Sequence, residues 1–165
     1  MPRAGETAAV RRDARGLRAR RDADHPPVTD DYVHWQDVTT RWNDNDQYGH
    51  LNNVVHHAIM DTAVNRWLIE SGCLDPHGGT TVGLVMQVHC EYRAQAGFPD
   101  VVAVGLRVGE LGNSSVRFEV GMYRGDGELF FTGHFVHAFV DRQTEETVPI
   151  EGARRAALEG LQRHD

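Results

Sequence analysis

Lysine is absent from this chain: all 17 of its Lys and Arg positions are arginine. Any anion the protein holds must therefore be met by guanidinium groups or backbone N–H, a planar and fixed form of recognition. Cysteine is scarce as well. Cys73 and Cys90 make neither a disulfide framework nor a metal-ligand spacing, which points to thiols in a reducing compartment. No apolar run approaches the roughly 18 residues needed to span a bilayer. The Arg-rich start lacks the apolar segment of a signal peptide, so the expectation is a cytoplasmic protein with no membrane part. A Gly-x-Ser-x-Gly elbow is missing, which disfavours a serine hydrolase. Phosphate-loop and dinucleotide glycine motifs are missing too, and no cofactor is expected. Metal pairs fare no better. His56 and His57 are adjacent on a helix and face different directions, whereas zinc sites use an i, i+4 pair. His134 and His137 fall on opposite faces of a strand.

A net charge of −7 argues against nucleic acid as a partner. That charge is uneven: residues 1–25 carry seven Arg against four acids, and the remainder ten Arg against twenty. The first 28 residues, ending in Pro26-Pro27, have almost no apolar face and are expected to be a disordered tail. At 165 residues, with 40% apolar and 8% aromatic content, the rest makes one domain with a substantial core. Its main body is expected over residues 29–150.

Periodicity lays out the elements. Tyr32 to Trp42 alternates as a first strand. Asn53 to about Ser71 is helical, with Ile59, Ala63 and Trp67 in one row, Met60, Val64 and Leu68 in the next, and Val55 and Ala58 extending the stripe. Gly72 is its natural stop. Thr81 to Tyr92, Val101 to Leu111, Ser115 to Arg124 and Leu129 to Asp141 alternate as strands. Within the first of these, Val82, Leu84, Met86, Val88, Cys90 and Tyr92 are expected on one face. Gly112-Asn113 and Gly125-Asp126-Gly127 form hairpin turns. The last strand is apolar on both faces, which suggests cover by the helix on one side and by another subunit on the other. Residues 151–165 hold a short charged helix over Glu151 to Arg163. The class is α+β, with five strands.

The stretch from Arg41 to Asn53 reads RWNDNDQYGHLNN and runs straight into the helical segment. Asn52 and Asn53 suit an N-cap, where a side-chain oxygen accepts from an unpaired N–H of the first turn. The pattern is strand, short acidic loop, helix N-terminus. Free N–H groups and the positive end of the helix dipole attract an oxygen that is negative or becoming so. With Asp44 and Asp46 just upstream, the stretch holds the minimum for attack on a polarised carbonyl. Acidic, Asn-rich loops before helices also serve simply as caps and turns. A calcium loop fits poorly, since the Gly at its sixth position and the Glu at its twelfth are wanting. Asp44 is expected to hold the loop or pair with Arg41. His50 is either a proton carrier near neutral pH or a side chain locking the loop to backbone. Asn52 and Asn53 side chains either cap the helix or orient water.

The pattern Arg-Trp-x-Asp-x-Asp-x-x-Gly-His-Leu-Asn-Asn resembles the signature of hotdog-fold acyl-CoA thioesterases of the 4-hydroxybenzoyl-CoA thioesterase-like family. Asp46, Gly49, His50, Asn52 and Asn53 stand at the family spacing. The likeness runs from about Tyr32 to Ile150. It implies a long central helix wrapped by a five-stranded antiparallel sheet. It also implies hydrolysis of an acyl thioester, on CoA or a carrier protein, by a homodimer or a tetramer of two dimers. Asp46 takes the catalytic place, either attacking directly to give a mixed anhydride or acting as general base on water. The Asn53 N–H then holds the carbonyl oxygen, Gly49 lets the loop approach closely, and Asn52 and His50 adjoin the substrate. Arg93, with Ser114 and Ser115, lies near strand ends that in such folds meet the nucleotide of CoA across the dimer seam. Two other functions fit the same fold. One is a non-catalytic acyl-CoA or acyl-carrier binding module. The other is a dehydratase or hydratase using an Asp–His pair, for which His50 is the candidate.

Overall fold

The computed structural model describes residues 29–163, so the tail expected over 1–28 lies outside the described residues. In chain order the elements are β1 (His34–Thr39), α1 (Asn53–Glu70), β2 (Thr81–Tyr92), β3 (Val101–Leu111), β4 (Ser115–Tyr123), β5 (Leu129–Asp141) and α2 (Gly152–Gly160). The strands form one sheet in the order β1-β3-β4-β5-β2, with every neighbouring pair antiparallel. Strands β3, β4 and β5 follow one another through tight turns and therefore sit side by side. Strands β1 and β2 are also consecutive, yet they occupy opposite edges. The chain crosses the width of the sheet between them, and α1 makes the crossing. A five-stranded antiparallel sheet with a helix on one face is consistent with the hotdog plan.

The alternation explains which face meets α1. Val116, Phe118, Val120 and Met122 of β4 are all buried, as are Phe131, Phe135 and Phe139 of β5 and Val102, Val104, Leu106 and Val108 of β3. Removing each large side chain from water contributes on the order of 1.5–3 kcal/mol. Against them α1 sets Ile59, Ala63 and Trp67, and Met60, Val64 and Leu68, the two rows expected from the spacing. Trp67 meets Phe118 edge-on at 6.2 Å. Gln36 of β1 donates from Nε2 to the Ala63 carbonyl at 2.8 Å, tying the edge strand to the helix.

Three expectations need correction. The first strand ends at Thr39, not Trp42, because Trp42–Asp44 coils into a short 3-10 turn. The stripe on α1 is extended by buried His56, while Ala58 is exposed. His56 tolerates burial because its Nδ1 lies 3.0 Å from the Asn52 carbonyl, one helical turn back. In β2 the simple alternation fails at an irregularity between Val85 and Gln87. Val88, Cys90 and Tyr92 pair with Phe135, Gly133 and Phe131 and share their face, but Val82 and Leu84 pair with Val140 and Ala138 on the other.

The outer face of the sheet is covered in part by the chain itself. Tyr32 lies across β3 and β4, so close that a β-carbon on Gly105 would stand 2.6 Å from its ring. Tyr32, Trp35 and Tyr123 pack edge-on or tilted against one another there. Helix α2 closes the core through Leu158, with Ile150 and Leu161 flanking it. The strand β2 stays open: Leu84, Val85, Met86, Val88 and Tyr92 are 40–67% exposed. Among the described residues no helix is long and apolar enough to cross a membrane.

Candidate active site

The acidic loop is built from its own polar groups. Asp44 is buried. Its Oδ2 accepts from the Arg41 N–H at 2.6 Å, and its Oδ1 accepts from Arg41 Nε and Nη2 at 3.0 and 2.8 Å. Burial by itself raises such a carboxyl, but the Arg41 bonds and charge outweigh it and hold Asp44 below the ordinary carboxylate value. The Asp44 carbonyl in turn accepts from the Asn52 N–H at 2.9 Å, fixing where the helix begins. Asp44 thus holds the loop and pairs with Arg41, both of the roles foreseen for it.

Asp46 stands differently. The Asp46 N–H donates to the His50 carbonyl at 2.9 Å, and the Gly49 N–H donates to the Asp46 carbonyl at 3.1 Å. These bonds close a tight turn that needs Gly49 in the left-handed region, at φ 84. The Asp46 Oδ1 accepts from the Tyr48 N–H at 2.8 Å. Its Oδ2 has no hydrogen-bond partner among the described residues, and the residue is half-buried. Asn45 pins the turn from behind, accepting at Oδ1 from the Phe98 N–H at 3.0 Å. Trp42, Tyr48, Val54 and Phe98 leave apolar surface exposed around it.

Asn52 is the N-cap: its Oδ1 accepts from the Val54 N–H at 3.0 Å. Of the two readings for this side chain, capping is the one seen. Asn53 is the first residue of α1 and is exposed. Its backbone N–H has no acceptor among the described residues, while its carbonyl accepts from Tyr92 Oη at 3.5 Å. His50 is half-buried and locks the loop through its carbonyl; its ring makes no bond within the described residues. Arg93 is exposed and already engaged, donating from Nη2 to Glu91 Oε2 at 2.7 Å and from Nε to Thr132 Oγ1 at 3.1 Å.

Sequence reasoning weighed His56 and His57 only as a metal pair and Cys90 only as a thiol, and did not bring them to this site. His56 sits under the loop with its ring 5.0 Å from Tyr92 and 5.4 Å from Phe131, and burial lowers its basicity. The signal was there in its position four residues after Asn52. Cys90 Sγ lies 3.4 Å from His57 Nε2, a contact between residues 33 apart that no local pattern announces. A cleft of about 220 Å³ lies at the β3–β4 turn, lined by Glu110, Ser115, Arg117 and others. It is at the far end of β3 from the acidic loop, so the loop's chemistry does not draw on it. Among the described residues no three His, Cys, Asp or Glu side chains converge to hold a metal ion.

Residues 40–158 match the model of the thioesterase-like superfamily. Among solved structures, the PA5185 protein of Pseudomonas aeruginosa strain PAO1 is 47% identical, with a TM-score of 0.76 over 80% of this chain and 93% of its own. The PA2801 protein of Pseudomonas aeruginosa, named as a candidate thioesterase, is 27% identical, with a TM-score of 0.71 over 77% of this chain and 98% of its own. The gentisyl-coenzyme A thioesterase BH1999 shares the fold at 20% identity, with a TM-score of 0.67 over 76% of this chain and 99% of its own. No curated protein matches. The chain belongs to the thioesterase-like superfamily, and the enzyme class that membership carries is thioester hydrolase.

Proposed function

We propose that the protein hydrolyses acyl-CoA thioesters, with Asp46 acting on the acyl carbon and the start of α1 holding the carbonyl oxygen. One observation carries this reading. In a loop whose other carboxylate is buried with both oxygens bonded, Asp46 keeps an oxygen without a partner among the described residues, beside a helix whose first N–H is also unclaimed. A thioester needs both. The carbonyl oxygen accepts from the Asn53 N–H, where developing negative charge meets the positive end of the helix dipole. Asp46 then follows one of two routes. It attacks the carbonyl carbon, the C–S bond breaks, CoA leaves as thiolate, and water opens the mixed anhydride to free acid and Asp46. Or it takes a proton from water as the water oxygen attacks, and the tetrahedral intermediate expels the same thiolate.

The other residues support this centre. Asn52 fixes the helix start, and Gly49 provides the turn that keeps Asp46 facing outward. His50, its ring uncommitted within the described residues, is the proton carrier for the departing thiolate. Arg93 meets the CoA phosphates, which requires exchanging Glu91 for the ligand. We place α1 as the central helix of the hotdog plan. The exposed apolar side chains and free edge of β2 support a homodimer joined along that strand, which closes the site against water; two such dimers can form a tetramer.

Release of free CoA thiol from a panel of acyl-CoAs tests the proposal. The wild-type protein turns over at least one of them, and Asp46→Ala loses activity by about 10²–10⁴-fold, the usual range for a lost acid–base group. Equal turnover by wild type and Asp46→Ala refutes the assignment, and tight binding with no turnover makes the protein an acyl-CoA binding module instead.

A further inference from the structure

Strand β2 and helix α1 keep step with each other below the proposed carbonyl site. Tyr92, Cys90 and Val88 share the face of β2 that meets the helix side of the sheet. Tyr92 Oη reaches the Asn53 carbonyl at 3.5 Å, and Cys90 Sγ reaches His57 Nε2 at 3.4 Å. Four residues of helix rise about 6 Å and two residues of strand advance about 6.7 Å. The two contacts are therefore successive rungs between the same two elements. The upper rung carries the Asn53 N–H. An acyl chain whose carbonyl oxygen sits there, and which runs inward along α1, next meets the His57–Cys90 pair. The strip between helix and strand is open on the β2 side, where Val85 and Val88 are 45% and 40% exposed.

We propose that His57 and Cys90 read the acyl group about 6 Å beyond the thioester carbonyl, one helical turn along α1, and select acyl groups carrying an oxygen acceptor at that depth. This rests on the hydrolase reading above. Both side chains are half-buried. Burial pushes the Cys90 thiol up, and in the arrangement proposed here its S–H donates to His57 Nε2, 3.4 Å away. The proton of a neutral imidazole is then on Nδ1, and that N–H has no acceptor among the described residues. A plain hydrocarbon laid across the pair removes its water and returns nothing. A ketone, ether or ester oxygen at the same place accepts from the Nδ1–H, and a site built to hydrogen-bond discriminates against the analogue that lacks the group.

The test compares kcat/KM for 5-oxohexanoyl-CoA and 5-methylhexanoyl-CoA, which exchange an oxygen for a methyl group on the fifth carbon. The wild-type protein is expected to favour the oxo substrate by about tenfold, the worth of one net hydrogen bond. His57→Leu brings that ratio to one or below, Cys90→Val lowers it by freeing the imidazole tautomer, and Cys90→Ser keeps it. The wild-type ratio needs no variant to fold. A wild-type ratio near one, or an undiminished ratio in both His57→Leu and Cys90→Val, overturns the subsite while leaving the hydrolase reading intact. Turnover of neither substrate, nor of any other acyl-CoA, strikes the hydrolase reading first and removes the subsite with it.

Discussion

The two halves of the acidic loop treat the same functional group in opposite ways. From Arg41 to Asn45 every carboxylate oxygen is claimed: Asp44 is buried and bonded three times by Arg41. From Asp46 to His50 the backbone is just as well tied, yet the Asp46 side chain is held by one N–H alone. On the function proposed above, the difference separates structure from chemistry within five residues. A buried carboxylate with both oxygens bonded is withheld from a substrate, whereas a carboxylate oriented through one oxygen presents the other. The same distinction applies elsewhere in the molecule. The exposed edge of β2 and the buried imidazole of His137 also hold polar groups that the described chain leaves unanswered.

If that comparison is sound, Asp44 is a folding residue. Asp44→Ala is expected to lower the free energy of unfolding by about 2–3 kcal/mol, the range for losing charge-assisted bonds at a capped turn, as measured by urea denaturation. Because the Asp44 carboxyl is held below its ordinary 3.8 in the folded chain, the stabilisation is complete above that pH. It is lost as pH falls through the lower folded value. A variant as stable as wild type at neutral pH would erase the contrast between the two aspartates.

The open edge of β2 gives a second contrast, with the short and partly buried β1 on the other side of the sheet. A charge on β2 should act on assembly rather than on the fold. If the proposed dimer forms along β2, Val88→Lys is expected to weaken it by about 2 kcal/mol, near thirtyfold, seen as a lower mass by light scattering at fixed concentration. A mass unchanged by the substitution would count against a dimer joined along β2.

His137 sharpens the contrast from inside the core. It is 1% exposed, and neither ring nitrogen has a hydrogen-bond partner. Burial among Phe118 and Phe135 lowers its pKa from 6.5 to about 4, against a smaller opposite pull from Asp61. The unfolded chain therefore takes up the proton first. Stability is greatest above pH 6.5 and falls as pH drops from there toward 4, by about 3 kcal/mol in all. His137→Leu removes both the unsatisfied nitrogens and the titration. It is expected to gain about 1–2 kcal/mol at pH 7 and to flatten that part of the stability profile. The smallest effect belongs to the cap: Asn52→Ala costs about 1 kcal/mol, read by thermal unfolding, with the start of α1 fraying.

Much of this was legible in the residues before any coordinates. The hairpins at Gly112-Asn113 and Gly125–Gly127, with strict alternation between them, locate β3, β4 and β5 because their signals are local and strong. The loop's acidic pair and Asn52-Asn53 were legible for the same reason, since caps and turns are short-range chemistry. The failures are where packing decided. The irregularity at Val85 and Gln87 reverses the facing of half of β2, and nothing in the alternation marks it. His56 entered the apolar stripe in place of Ala58 because a carbonyl one turn back satisfied it. His57 and Cys90 met only through the tertiary fold.

The account turns on Asp46, and a single-turnover experiment tests it most directly. Asp46→Asn is mixed in excess with an acyl-CoA that the wild type hydrolyses, and thiol release is followed while binding is measured in parallel. The account predicts binding within a few-fold of wild type, an unfolding transition within about 0.5 kcal/mol, and release slowed by about 10² or more. Release at the wild-type rate from a fully bound Asp46→Asn protein would contradict it.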